Sequence, residues 1–149
     1  MNELIITAEL NYMDQLLEMA SDLWKDNYSE SEMRSFFNEA MNSDNYKILL
    51  SLNDSKPAAF IFLSIRTDYV EGSNSSPTGY LEGIYVKPEF RKSGIAGKLL
   101  SEGEKWIKEK GCRQIGSDAY LDNKVSFDFH VSLGFKEAGK LVTFIKNID

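Results

Sequence analysis

The chain has 149 residues, 42% hydrophobic and 27% charged, with a formal net charge of −6 and a pI near 4.9. That length suits one domain, 1–149, with a buried core, and the acidic balance argues against nucleic acid while permitting a cationic substrate. No apolar run approaches the roughly 20 residues of a membrane helix, no signal peptide is visible, and the single cysteine, Cys112, leaves neither a disulfide framework nor a metal cluster to expect.

Residues 3–8 contain L-I-I-T-A and read as a first strand. Asn11 is a candidate cap for a helix running to about Lys25, because Met13, Leu16, Leu17, Ala20, Leu23 and Trp24 recur at three- and four-residue spacing. Ser29 and Glu32 make a capping box for a second helix with Met33, Phe36, Phe37, Ala40 and Met41 on its apolar face. Residues 46–52 and 58–65 are strand-like around a turn at 53–57, which suggests an antiparallel hairpin. The run A-A-F-I-F-L-S-I is apolar at nearly every position, so both of its faces should be covered. A polar loop, 71–79, leads into a buried strand, 80–86.

A third helix, about 94–110, buries Ile95, Leu99, Leu100, Trp106 and Ile107 and stops at Gly111. Residues 113–118 suit a short strand parallel to 80–86. A last helix spans 123–133, and strands at 135–137 and 141–145 finish the chain around Gly139. This order gives an α/β (α+β) fold, a mixed sheet with helices on both faces.

The stretch Y-L-E-G-I-Y-V-K-P-E-F-R-K-S-G-I-A-G-K-L-L, 80–100, organises the rest. Arg91, Gly94 and Ala96 spell R-x-x-G-x-A at a strand-to-helix junction. Gly94 can take positive φ, and Ala96 lets backbone approach a ligand closely. Amides at the positive end of a helix would then converge as a phosphate cradle. No Gly-Lys-Ser/Thr ends it and no G-x-G-x-x-G occurs, which removes the nucleotide-loop alternatives.

This signature resembles the acyl-CoA motif of the GCN5-related N-acetyltransferases. The wider text R-T-D-Y-V-E-G-S-N-S-S-P, then L-E-G-I-Y-V-K-P-E-F-R, is similar to one branch, the bacterial aminoglycoside 6′-N-acetyltransferases. The resemblance implies a six- to seven-stranded, mostly antiparallel sheet with a splayed parallel central pair. It implies acetyl-CoA as co-substrate, a polycationic aminoglycoside as acceptor and a homodimer, while the lone cysteine fits a reducing cytoplasm. The loop from Arg91 through Lys92, Ser93, Gly94 and Ile95 to Ala96 would hold the coenzyme pyrophosphate. The backbone of Ile84, Tyr85 and Val86 would meet the pantetheine and acetyl oxygen.

Acetyl transfer to an amine needs a proton removed, the thioester oxygen polarised and the leaving thiolate protonated. Glu82 is an unexpected carboxylate in a buried strand. It reads as a general base or ammonium anchor, or as a sheet-face glutamate paired with a local Lys or Arg; the resemblance favours the first. Gly83 beside it would permit a bulge.

His130, the only histidine, stands where the family commonly has a tyrosine that protonates the thiolate. The alternative is a helix residue satisfied by a backbone carbonyl. Asn123 matches the family's pantetheine-binding asparagine, and an N-cap would use it equally well. Ser126 and Lys124 could face the coenzyme.

Asp118 falls at a strand end, where open sheets bind ligands. Asp68, Tyr69 and Glu71, with Trp24, Asp26 and Tyr28, interleave carboxylates and aromatics in a way that suits an aminocyclitol. Core packing for Trp24 and a solvated rim for the acids are the alternatives. Arg91 and Lys92 could meet coenzyme phosphates, and Cys112 reads as a buried structural thiol. The rival functions are acetylation of another polyamine or a protein amine, and an acetyl-CoA-binding module without turnover.

Overall fold

The computed structural model of the chain describes residues 3–148, and its sheet grows from a two-residue turn. Asp54 and Ser55 both take positive φ, +49° and +70°, a conformation that matches the twist of a tight hairpin. The turn is shorter than the sequence suggests, and both strands are longer: β2 is Tyr46–Asn53 and β3 is Lys56–Arg66. Pro57 therefore lies inside β3. It sits opposite Leu52, where the register slips after Ser51, a place where a missing N–H does no harm.

β1 (Glu3–Thr7) adds to β2, and β4 (Thr78–Val86) to β3, all antiparallel. β5 (Ile115–Gly116) runs parallel to β4, pairing Gly79 with Ile115 and Tyr80 with Gly116. Among the described residues the sheet has five strands in the order β1-β2-β3-β4-β5, not six or seven. The expected strand 113–118 shrinks to two residues. Residues 135–137 and 141–145 form no strand, and Leu141, Val142, Phe144 and Ile145 are 70–96% exposed. Their β-propensity expresses fit to a half-buried pleated surface, so without a neighbouring strand it forms no ladder.

Alternation along β3 explains why its sequence is apolar throughout. Phe60 and Phe62 join Leu16, Met19, Met33 and Phe37 of α1 (Met13–Trp24) and α2 (Glu30–Met41) in one core. Ile61 and Leu63 face the other way, toward α3 (Ile95–Glu109). There the helix packs so closely that a Cβ on Gly103 would lie 2.4 Å from Leu63 Cδ1, and one on Gly79 2.6 Å from Ile107. Both faces of the sheet are thus covered by helices.

The capping box of α2 is present, with Ser29 Oγ accepting from the Glu32 amide and Glu32 accepting from the Ser29 amide. A 3₁₀ turn, Leu10–Tyr12, precedes α1, so Asn11 does not cap it. Phe36 is 38% exposed rather than core, and Trp106 is only half-buried. The chain divides into two compact units. Met1–Ser117 holds the sheet and α1–α3; Asp118–Asp149 holds α4 (Lys124–Ser132).

Candidate active site

The pairing of β3 with β4 contains one extra residue. Phe62 pairs with Gly83 and Leu63 with Leu81, leaving Glu82 unmatched. Such a bulge shifts the alternation of everything beyond it. Tyr80, Glu82 and Gly83 all lie on the α1 side: the first two meet Arg66, and a Cβ on Gly83 would be 2.8 Å from Trp24.

The same shift reorients backbone. The Lys87 amide donates to the Ala58 carbonyl at 2.9 Å, so this pair is hydrogen-bonded, and alternation makes Tyr85 and Gly83 hydrogen-bond β3 as well. Ile84 and Val86 then turn their N–H and C=O groups to the opposite edge. Arg91 Nε donating to the Val86 carbonyl at 2.7 Å fits that direction. β5 pairs with β4 only at Gly79 and Tyr80, and Ser117 Oγ reaches the Leu81 carbonyl at 3.3 Å. Beyond Leu81, the ladder from β5 has ended.

Tyr85 departs from the coenzyme role expected of it. Its backbone pairs with Phe60, and its hydroxyl donates to the Asp22 carboxylate of α1. Burial first, then that hydrogen bond and the Asp22 charge, push the phenol up to about 12, against an opposing Arg91.

The Glu82 carboxylate is clamped. Arg66 Nη2 lies 3.1 Å from Oε1 and 2.9 Å from Oε2, Arg66 Nε lies 3.3 Å from Oε2, and Ser64 Oγ donates to Oε2 at 2.5 Å. The Arg66 guanidinium carbon sits 3.4 Å from the centroid of the Tyr80 ring. The reading of Glu82 as paired with a local cation is therefore correct as geometry, and Arg66 is a residue that sequence reasoning did not single out. Its signal was position: Ser64 and Arg66 continue the parity of Phe60 and Phe62.

Trp24, which lies against Gly83, stacks on Phe37 with centroids 5.9 Å apart and meets Phe60 and Tyr28 edge-on at 6.3 and 5.8 Å. It packs against the core. Tyr28 is 40% exposed and meets Phe36 at 5.2 Å. The Asp26 side chain lies outside the described residues. Asp68, Tyr69 and Glu71 are exposed on the loop after β3, whereas Val70 is buried. Gln114 Oε1 ties that loop down by accepting from Ser73 Oγ and the Asn74 amide at 3.2 and 2.9 Å.

The R-x-x-G-x-A loop has the expected backbone. Lys92 takes φ +62° and Gly94 φ +85°. The Lys98 amide makes the bond to Gly94 at 3.2 Å, so the amides of Ile95, Ala96 and Gly97 have no carbonyl within α3 to bind. They point outward at the positive end of a 15-residue helix. A Cβ on Gly94 would meet nothing within 4 Å, so φ, not crowding, requires glycine there. Ser93 Oγ donates to the Phe90 carbonyl at 2.5 Å. Arg91 Nε, through its bond to the Val86 carbonyl, folds the loop back onto β4.

In the second unit, Asn123 Oδ1 accepts from the Ser126 amide at 3.0 Å and caps α4. His130 Nδ1 lies 2.7 Å from the Ser126 carbonyl, and Phe135 meets the ring edge-on at 5.3 Å. A carbonyl only accepts, so Nδ1 carries a proton, and donation from Nε2 requires the imidazolium. Lys124 Nζ pairs with Asp128 at 3.2 Å, and Asp118 is exposed. Cys112, in the first unit, is 4% exposed, and burial pushes its thiol up.

Residues 13–135 match the acetyltransferase (GNAT) family. The chain belongs to this family. A GNAT domain is an acetyl-CoA-dependent N-acetyltransferase, and the outward amides of Ile95, Ala96 and Gly97 are of the kind that suits a phosphate. The aminoglycoside N(6′)-acetyltransferase type 1 of Acinetobacter haemolyticus is 42% identical over 134 residues, 89% of this chain and 90% of that one. Its namesake in Acinetobacter baumannii is 42% identical over 129 residues, 85% and 86% of the two chains. The crystal structure of an aminoglycoside antibiotic 6′-N-acetyltransferase from A. haemolyticus superposes with TM-score 0.94 at 40% identity, covering 100% of both chains. A structure of AAC(6′)-Iy in complex with the bisubstrate analog CoA-S-monomethyl-acetylneamine gives 0.90 at 29% identity, covering 99% and 100%.

Proposed function

We propose that this GNAT enzyme transfers acetyl from acetyl-CoA to the 6′-amine of an aminoglycoside, and so confers resistance. The observation that carries the reading is the bulge on β4. It sets a carboxylate suited to an amine two residues before the Ile84 amide, which is turned to the edge where a thioester oxygen would be polarised. The relatives named for 6′-acetylation support the acceptor.

The amine nitrogen attacks the thioester carbonyl, the tetrahedral intermediate collapses, and the C–S bond breaks to release coenzyme A as its thiol. Glu82 anchors the ammonium and receives its proton, directly or through water. The amides of Ile84 and Val86 stabilise the developing oxyanion. His130 is the proton donor to the thiolate, while Asn123 and Ser126 bind the pantetheine arm. Within the first unit, Trp24, Tyr28, Asp68, Tyr69 and Glu71 are the residues offered to the acceptor.

The family match spans both compact units, which supports one acetyltransferase domain over 1–149. The exposed apolar run at 141–145 supports a homodimer through the C-terminal segment. Dependence on acetyl-CoA supports a cytoplasmic setting.

Turnover of acetyl-CoA with kanamycin or tobramycin, beside analogues lacking the 6′-amine, tests the acceptor. Acetylation confined to compounds with a 6′-amine is expected. Turnover indifferent to that amine moves the regiochemistry, and coenzyme binding without any acetylation removes the aminoglycoside reading.

A further inference from the structure

Glu82 does not present two equivalent oxygens. Ser64 Oγ and two Arg66 nitrogens all reach Oε2, whereas Oε1 has one of these contacts, from Arg66 Nη2. A carboxylate oxygen offers about two lone-pair directions, so Oε2 is saturated and Oε1 retains capacity.

The cation that enforces this asymmetry is itself held. Tyr80, whose ring lies under the guanidinium, is only 7% exposed and cannot swing away with its partner. Ser64 and Arg66 stand two residues apart on one face of β3. The bulge brings the Glu82 carboxylate across to both. A planar fork stacked on a fixed ring locks the direction of the carboxylate, which the point charge of a lysine would not do.

We propose that Arg66 is a positioning residue for the transfer reaction. It holds Glu82 in one orientation, with Oε2 against Arg66 and Ser64 and Oε1 turned to the acceptor ammonium. Glu82 is then a directional acceptor for one amine instead of a diffuse negative charge, and the neighbouring guanidinium repels a second ammonium. The inference deepens the reading of Glu82 given above and rests on it.

The test uses R66A, R66K, E82Q and the R66A/E82Q double variant of the full chain, assayed with tobramycin and acetyl-CoA. R66A is expected to lower kcat roughly 10- to 100-fold while KM for acetyl-CoA stays within about twofold. R66K, which keeps charge but loses fork and stacking, recovers only part of kcat. In the E82Q background, R66A adds less than about a twofold loss, because it acts through the missing carboxylate. Full kcat in R66A, or losses that multiply in the double variant, overturn the proposal. So does a lowered acceptor KM at unchanged kcat, which would make Arg66 a cation that the substrate displaces. An active E82Q instead removes the reading of Glu82 itself, a different failure from a crippled E82Q beside an unimpaired R66A. If R66A melts below the assay temperature, Ser64→Ala removes one donor from Oε2 and is expected to lower kcat about two- to tenfold.

Discussion

The R-x-x-G-x-A loop and the Glu82 clamp lie on either side of Val86 and are built by opposite means. The loop offers main chain: the amides of Ile95, Ala96 and Gly97, which follow positive φ at Lys92 and Gly94. The clamp works with side chains of Glu82, Arg66, Ser64 and Tyr80 drawn from two strands. A backbone cradle suits a constant partner such as a pyrophosphate. A side-chain clamp can be re-aimed by substitution, which suits the partner that varies.

If that contrast is right, the two regions should fail differently. Glu82→Gln is expected to cost most, lowering kcat/KM for a 6′-amine aminoglycoside about 10²- to 10⁴-fold, with acetyl-CoA affinity by calorimetry unchanged. Gly94→Val should do the reverse. Forcing a β-branched residue to φ +85° costs about 1–2 kcal/mol, so the dissociation constant for acetyl-CoA rises about tenfold while acceptor affinity holds. A joint loss of both affinities in either variant would erase the distinction.

The smallest effect concerns Tyr85, which lies between the two in the chain and ties α1 to the loop through Asp22 and the neighbouring Arg91. Its folded phenol titrates at about 12, above the roughly 10 of an unfolded tyrosine. The folded state holds that proton more tightly, so the contribution to stability is complete below about pH 10 and disappears as pH rises through about 12. Urea melts at pH 9 and 11.5 should show a larger drop for the native chain than for Tyr85→Phe. Equal drops would mean that burial and the Asp22 contact together do not hold the phenol protonated.

The loop was the more legible of the two in sequence for the same physical reason. Gly94 and the strand-to-helix junction are adjacent in the chain, so local backbone chemistry announced the cradle. Arg66 is sixteen residues from Glu82, and only the pairing of β3 with β4 makes them neighbours. The helices and their buried stripes followed from spacing, with Phe36 and Trp106 misassigned because a periodic position at a stripe's edge need not be covered. The capping box was visible because its partners lie three residues apart. The C-terminal strands were misread because β-branched residues signal readiness to pair, and pairing depends on an edge that periodicity does not reveal. At Asn123 and His130 the modest alternatives, a cap and a ring satisfied by a carbonyl, are what the geometry contains.

The bulge at Glu82 also separates what the strand needs from what the enzyme needs. Residues 79 and 81 share the α3 face with 84 and 86 across it, because the extra residue resets the alternation. Loss of Glu82 would leave Gly83 opposite Phe62 and Leu81 opposite Leu63 in an unbroken ladder, with Tyr85 still at Asp22. The strand can thus do without its extra residue, whereas the carboxylate has no other position from which to reach Ser64 and Arg66.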